Sequence, residues 1–357
     1  MMETLISKRD LEGIISQIVQ DSQVFAPVTR DGLKTYQMIA HPEQINWGDG
    51  NSHRSPKEFF FPMTEPIFGF TQARDGVKIE PIENHSKKRV LIGVRPCDAF
   101  ALHILDRVFS WDYEDELYLT LRKNTVIIGL ACIKPEPFCF CTAVNLSPFE
   151  ERGSDVLLTD LGNDTFHAKV ITQRGEQFLK PFTKYCKDVP ADVASKRETM
   201  IKEVVSHMPP PLPLAEIKSW MDLHFDHPLW EELAAGCLGC GTCAYLCPTC
   251  HCFDLTDETT GYAGQRMRNW DSCAFDHFTK MAAHQPRLFQ WQRFRQRVMH
   301  KFKYYIDKFS HLACVGCGRC RALCPAGKDI VQVLGEIRKQ MDISQSEPMV
   351  IKKGRKQ

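Results

Sequence analysis

The sequence predicts an α+β chain in two main parts, an α/β domain over 1–212 and a helical, cysteine-rich domain over 213–345, with a polar tail over 346–357. Three observations carry this. Two short apolar runs, 89–94 and 125–130, bracket a stretch of helical periodicity. The segment Met208-Pro-Pro-Pro-Leu-Pro-Leu214 is stiff and unsuited to helix or central strand, so it marks a boundary. Beyond it stand two cysteine runs of identical spacing.

Composition narrows the function classes. With 45 basic and 44 acidic residues the chain is near neutral, which argues against nucleic acid as a partner. Sixteen cysteines without a secretory signal point to metal ligation rather than a disulfide framework. The opening Met1-Met-Glu-Thr-Leu-Ile-Ser-Lys-Arg-Asp10 carries acids and lacks a long apolar stretch. The longest apolar runs, 90–94 and 126–131, are far too short to span a bilayer. A cytoplasmic protein without a membrane span is expected.

The elements follow in order. Ser7-Lys-Arg-Asp10 resembles a capping box, and Leu11, Ile14, Ile15, Ile18 and Val19 follow at helical spacing, so a first helix is expected over 8–20. Short extended pieces over 23–27, 35–40 and 59–70 come next, and the Phe59-Phe-Phe61 cluster reads as core or interface, with an aromatic ligand box as the alternative. The run 89–94 is apolar and β-branched, as a buried parallel strand would be. Ala99, Leu102, Leu105 and Val108 then mark a helix over 98–109, and 125–130 is a second such strand. Strand, helix, strand is a βαβ unit. Residues 155–173 read as a hairpin, 176–186 as a helix with Cys186 as packing, and 215–224 as a helix leading into the first cysteine run.

Cys97 and Cys132 follow directly on the two apolar strands, with Cys139 and Cys141 close behind. The carboxyl ends of adjacent parallel strands are where open α/β sheets place ligands. These four thiols can converge there, with Asp98 as a candidate oxygen ligand. A third iron–sulfur site, a zinc site and buried structural thiols are the open readings.

The two runs read Cys237-Leu-Gly-Cys240-Gly-Thr-Cys243-Ala-Tyr-Leu-Cys247-Pro248 and Cys314-Val-Gly-Cys317-Gly-Arg-Cys320-Arg-Ala-Leu-Cys324-Pro325. Both follow the bacterial ferredoxin spacing for two [4Fe-4S] clusters, in which the fourth cysteine of each run ligates the other cluster. One cluster is therefore expected on Cys237, Cys240, Cys243 and Cys324, the other on Cys314, Cys317, Cys320 and Cys247. Structural zinc sites usually use two separated knuckles, a different pattern.

The insert between the runs reads as helical. Trp291, Phe294, Val298, Phe302, Tyr305 and Phe309 recur at steps of three and four. Arg293, Arg295, Arg297, Lys301 and Lys303 fill much of the remainder, as a solvated face or a docking surface for an acidic redox partner. Cys250, Cys252 and Cys273 read as thiols tuning a nearby cluster, or as ligands of their own.

Arg95-Pro-Cys-Asp98, Cys132 with Cys139-Phe-Cys141, Cys247-Pro-Thr-Cys-His-Cys252 and Trp270-Asp-Ser-Cys273 occur in order with the two runs. That series resembles the family that holds the iron–sulfur relay component of anaerobic sulfite reductase together with the sulfhydrogenase beta subunit. The resemblance implies an N-terminal α/β domain followed by a helical dicluster ferredoxin domain, in a hetero-oligomer. It implies electron relay between a flavin subunit that handles NAD(P)H and a nickel–iron hydrogenase or siroheme sulfite reductase catalytic subunit. It also strengthens the third [4Fe-4S] site on Cys97, Cys132, Cys139 and Cys141, with Asp98 able to replace a thiolate. No dinucleotide loop or P-loop is present, so no catalytic residue is assigned. A free-standing iron–sulfur reductase and an iron–sulfur protein that binds nucleic acid are the alternatives.

Overall fold

A computed structural model describes residues 3–82 and 87–346. The expected tail, 346–357, lies outside them apart from its first residue. The strands are β1 (Glu3–Ser7), β2 (Gln23–Arg30), β3 (Leu33–Ile39), β4 (Thr64–Ala73), β5 (Gly76–Pro81), β6 (Arg89–Val94), β7 (Thr125–Leu130), β8 (Val156–Asp160), β9 (Thr165–Val170), β10 (Phe253–Thr260) and β11 (Ala263–Trp270). Seven of them form one mixed sheet in the order β1-β9-β8-β7-β6-β2-β3. Its centre, β8-β7-β6-β2, is parallel, and its margins are antiparallel. β6 is buried along its whole length and β7 nearly so, which is why both are written as continuous apolar runs.

The helices explain themselves locally. In α1 (Lys8–Asp21) the Asp10 amide donates to Ser7 Oγ at 3.1 Å, and Leu11, Ile14, Ile15 and Ile18 face the sheet. The crossover from β6 to β7 holds two helices, α2 (Pro96–Phe109) and α3 (Glu116–Lys123), the second capped by Asp115. Pro96 opens α2, where its missing N–H costs nothing. The helix expected over 176–186 is shorter, α4 (Gln173–Leu179), and continues as a 3₁₀ turn, Lys180–Tyr185. Pro181 has no N–H to continue the ladder. After it come α5 (Ala191–Ser206), α6 (Leu214–Leu223), α7 (Leu229–Ala234) and α8 (Thr242–Tyr245). Then α9 (Gln290–Met299) runs through a π-helical stretch, His300–Tyr304, into α10 (Tyr305–Phe309), followed by α11 (Arg319–Ala322) and α12 (Ile330–Ser346). No helix among the described residues is long and apolar enough to cross a membrane.

The insert between the cysteine runs corrects the helical expectation in its first half. There β10 and β11 form a hairpin that joins β4 and β5 in a second sheet, order β10-β11-β4-β5. Thr260 pairs with Ala263 across Gly261-Tyr262, and Gly261 takes the positive φ of 65° that so short a turn requires. β10 is exposed along its whole length, and only Phe253 and Leu255 among its eight residues are apolar, too little to mark a strand.

The core disregards position 212. Phe100 and Ile104 of α2 and Phe140 pack with Trp220, Trp230, Phe294, Phe302 and Ile337 in one cluster. The proline-rich segment is docked against the N-terminal part: Leu212 donates to the Ala143 carbonyl at 3.1 Å, and Thr142 to that of Pro209 at 2.6 Å. Phe60 and Phe61 are fully buried against α2 and α3, so this aromatic cluster is core.

Candidate metal centres

β6 and β7 are parallel neighbours, with Val94 paired to Gly129, so the chain leaves both at one sheet edge. Cys97 sits in the first turn of α2 and Cys132 two residues past β7. The loop that follows returns Cys139 and Cys141, and all four thiols line one void. Arg95 locks this edge: it is buried and donates to the carbonyls of Gly48, Gly50 and Ala131 at 2.6–3.1 Å. Asn51 also lines the void and donates to the Cys317 carbonyl at 2.9 Å. Arg95 stands in the Arg-Pro-Cys-Asp motif, whereas Asn51 sits in a polar loop that carries no signal in the sequence.

Asp98 does not line this void. It is buried, and Arg319 of the second run donates to both its carboxylate oxygens at 2.6 and 2.7 Å. The role of oxygen ligand is therefore corrected. The first helical turn of α2 points Asp98 at α11 and leaves Cys97 facing the void.

The two runs line two further voids. One is bordered by Cys237, Cys240, Cys243 and Cys324. The other is bordered by Cys314, Cys317, Cys320 and Cys247. Each thus takes three thiols from one run and the fourth from the other. Arg297 borders both, while Gly316 and Cys317 border the second-run void and the N-terminal one. The three voids form a series.

Close backbone packing makes that series tight. The Phe140 amide donates to the Gly316 carbonyl at 2.8 Å. A Cβ on Gly316 would stand 2.5 Å from Cys141 Cα, and one on Gly318 2.7 Å from the Phe138 carbonyl carbon. Both glycines also hold positive φ, 63° and 78°. No other residue satisfies both demands.

Three of the five basic residues on the insert's helix face are buried rather than solvated. Arg295, Arg297 and Lys301 are buried, and Arg293 and Lys303 bond within the protein. Lys301 Nζ donates to Cys247 Sγ at 3.2 Å, Cys250 Sγ at 3.5 Å and the Ala313 carbonyl at 3.0 Å. Burial alone would lower this ammonium, but Cys247, Cys250 and Cys314 outweigh it and hold the pKa well above its usual range. Arg297 behaves likewise, through Cys243 and Cys320. Nearby, Lys57 is also buried, which pulls its pKa down to about 8, and it donates to the Cys250 carbonyl at 2.8 Å. Lys301 and Arg297 turn inward to the cysteines of the two runs, while Arg295 bonds the Phe225 carbonyl and Asp226. Helical periodicity marks the residues facing the core but cannot tell an inward arginine from a solvated one.

These features fit iron–sulfur clusters. Among the described residues no three Cys, His, Asp or Glu side chains stand close enough to hold a single metal ion, whereas at least four cysteines border each void. Arg297 Nε is buried without a protein acceptor and borders two voids, as a donor to cluster sulfur would. Burial pushes the thiols of Cys132, Cys141 and Cys314 up, to about 11, 12 and 12, so each stays protonated until a cation takes it as a ligand.

Comparison with known proteins agrees with this chemistry. Residues 236–328 match the 4Fe-4S dicluster domain family. Over 325 residues the chain is 29% identical to sulfhydrogenase 2 subunit beta of Pyrococcus furiosus, covering 90% of this chain and 94% of that protein. The likeness to the sulfhydrogenase beta subunit therefore runs along nearly the whole chain. With its dicluster domain, the chain is an iron–sulfur electron-transfer protein.

Proposed function

We propose that this protein is the relay subunit of a hetero-oligomeric oxidoreductase in the cytoplasm. It passes electrons between a flavin subunit linked to NAD(P)H and a catalytic subunit of nickel–iron hydrogenase or sulfite reductase type. An N-terminal α/β part holds one [4Fe-4S] cluster on Cys97, Cys132, Cys139 and Cys141. A helical ferredoxin part beyond the proline-rich segment holds two, on the crossed cysteine sets, even though both parts share one core. When bound, the clusters supply one-electron exchange. The protein's residues hold the thiols in place, keep bulk water away and set the local charge.

The observation that carries this reading is the series of three cysteine-lined voids, each sharing lining residues with the next. The full chain, reconstituted without oxygen, should bind about twelve irons. It should not oxidise NADH or NADPH alone, and its clusters should be reduced by a nicotinamide once the flavin partner is added. Zinc in place of iron, or about eight irons with Cys132→Ser unchanged from wild type, would overturn the three-cluster relay.

A further inference from the structure

Cys250, Cys252 and Cys273 border none of the three voids. Cys250 is held by Lys301 and stands against Cys247. The other two form a pair of their own at the open end of the β10–β11 hairpin. There Phe253 pairs with Trp270, and one residue further out the Asp271 amide donates to the Cys252 carbonyl at 3.0 Å. Cys273 follows two residues after Asp271, which brings its thiol and backbone N–H near Cys252. Their influence, with the Lys301 and Lys57 ammoniums nearby, holds Cys252 below the ordinary thiol range. Its partner stays protonated and feels the charges of Arg297 and Cys243, a thiol of the first run.

A cysteine of lowered pKa with a protonated thiol beside it, in a cationic surround, is set up as a redox couple. Neither sulfur is needed as a cluster ligand. We propose that Cys252 and Cys273 form a reversible dithiol–disulfide pair that exchanges electrons with the clusters beside it, an inference that rests on the relay reading above. On oxidation the Cys273 S–H bond is lost and one S–S bond forms to the Cys252 thiolate. One proton leaves to solvent, and two electrons leave to two oxidised clusters, one to each. Reduction runs the same balance backwards. The pair lets a carrier of single electrons hold two electrons at once, which matches the two-electron chemistry of nicotinamides.

The test uses the full-length, cluster-loaded protein. It is poised anaerobically at graded potentials, quenched with N-ethylmaleimide, digested and mapped by mass spectrometry, with iron counted in the same samples. At low potential both cysteines should carry the label. At higher potential both labels should vanish together, and the peptides should appear linked, two hydrogens lighter. Cys252→Ser and Cys273→Ser should each abolish the transition with iron content unchanged. Full labelling at every potential in protein with full iron overturns the proposal, as does linkage of either cysteine to Cys250 instead. Iron loss in Cys252→Ser would make it a ligand and also overturns the proposal. A wild-type protein that never binds iron would instead be a failure of the relay reading, visible before any thiol is mapped.

Discussion

Arg319, in the second cysteine run, donates from its two terminal nitrogens to the two oxygens of Asp98, four residues beyond β6, and both side chains are fully buried. Arg319 also donates to the Ser52 carbonyl and hydroxyl, so three separate parts of the chain meet at one guanidinium. Such a pair adds little over an apolar replacement of equal volume, but breaking it strands a buried charge, at a cost of about 3–5 kcal/mol. Asp98→Asn should therefore lower stability by about that amount and loosen the contact between the second run and the N-terminal thiols. Denaturant unfolding of the cluster-loaded protein measures the loss. A variant as stable as wild type would mean the pair adds nothing.

The fourth thiol of each run borders the void of the other. Cys247→Ser should therefore remove about four irons and the spectroscopic signature of the second-run cluster, leaving that of the first. Cys324→Ser should do the reverse. Iron counting with electron paramagnetic resonance on both variants distinguishes the clusters. Loss of the first-run signal in Cys247→Ser would refute the crossing.

Much of this was legible because some residues report directly on their surroundings. The β-branched runs of β6 and β7 can only be buried strands, and Ser7 with Asp10 could only start a helix. Spacing alone likewise grouped Cys247 with the second run. What stayed hidden depended on tertiary contacts. β10 carries Asp254, Thr256, Asp257 and Glu258 on an exposed strand, with only Phe253 and Leu255 apolar, so its pairing with β11 left little hydrophobic trace. Asp98 looked like a ligand because it adjoins Cys97, and only the approach of Arg319, 221 residues away, claims its oxygens. Arg297 and Lys301 resembled a solvated face because no local rule reveals cysteines supplied by distant loops.

Lys301 places a positive charge and a hydrogen bond on Cys247 at 3.2 Å, and both stabilise the more negative, reduced state of a cluster on that thiolate. Lys301→Met keeps the stem's bulk and removes both. The second-run cluster should then shift to a more negative reduction potential, with a smaller change at the N-terminal site, where Lys301 is not a lining residue. Redox titration followed by electron paramagnetic resonance reads each cluster separately. An unchanged or more positive second-run potential would show that the lysine serves packing alone.

His251 and His300 stand with ring centroids 5.3 Å apart beside these cations. Burial first, then the Lys301 and Lys57 charges, lower His251 to about 4; burial first, then His251 and Lys301, lower His300 to about 3. An unfolded histidine titrates near 6.5. Above that pH neither state binds the proton, and the stability these neutral rings contribute is fully present. As pH falls from about 6.5 towards 4, the unfolded chain takes up a proton that the folded site refuses. Stability should then drop by about 1.4 kcal/mol per pH unit for each histidine. His300→Gln removes one titrating group, so its unfolding midpoint should fall less steeply between pH of about 6.5 and 4.5 than that of wild type. Denaturant melts of the cluster-loaded protein across that window, with iron content checked at each pH, measure the slope. Equal slopes would show that His300 is protonated in the folded protein.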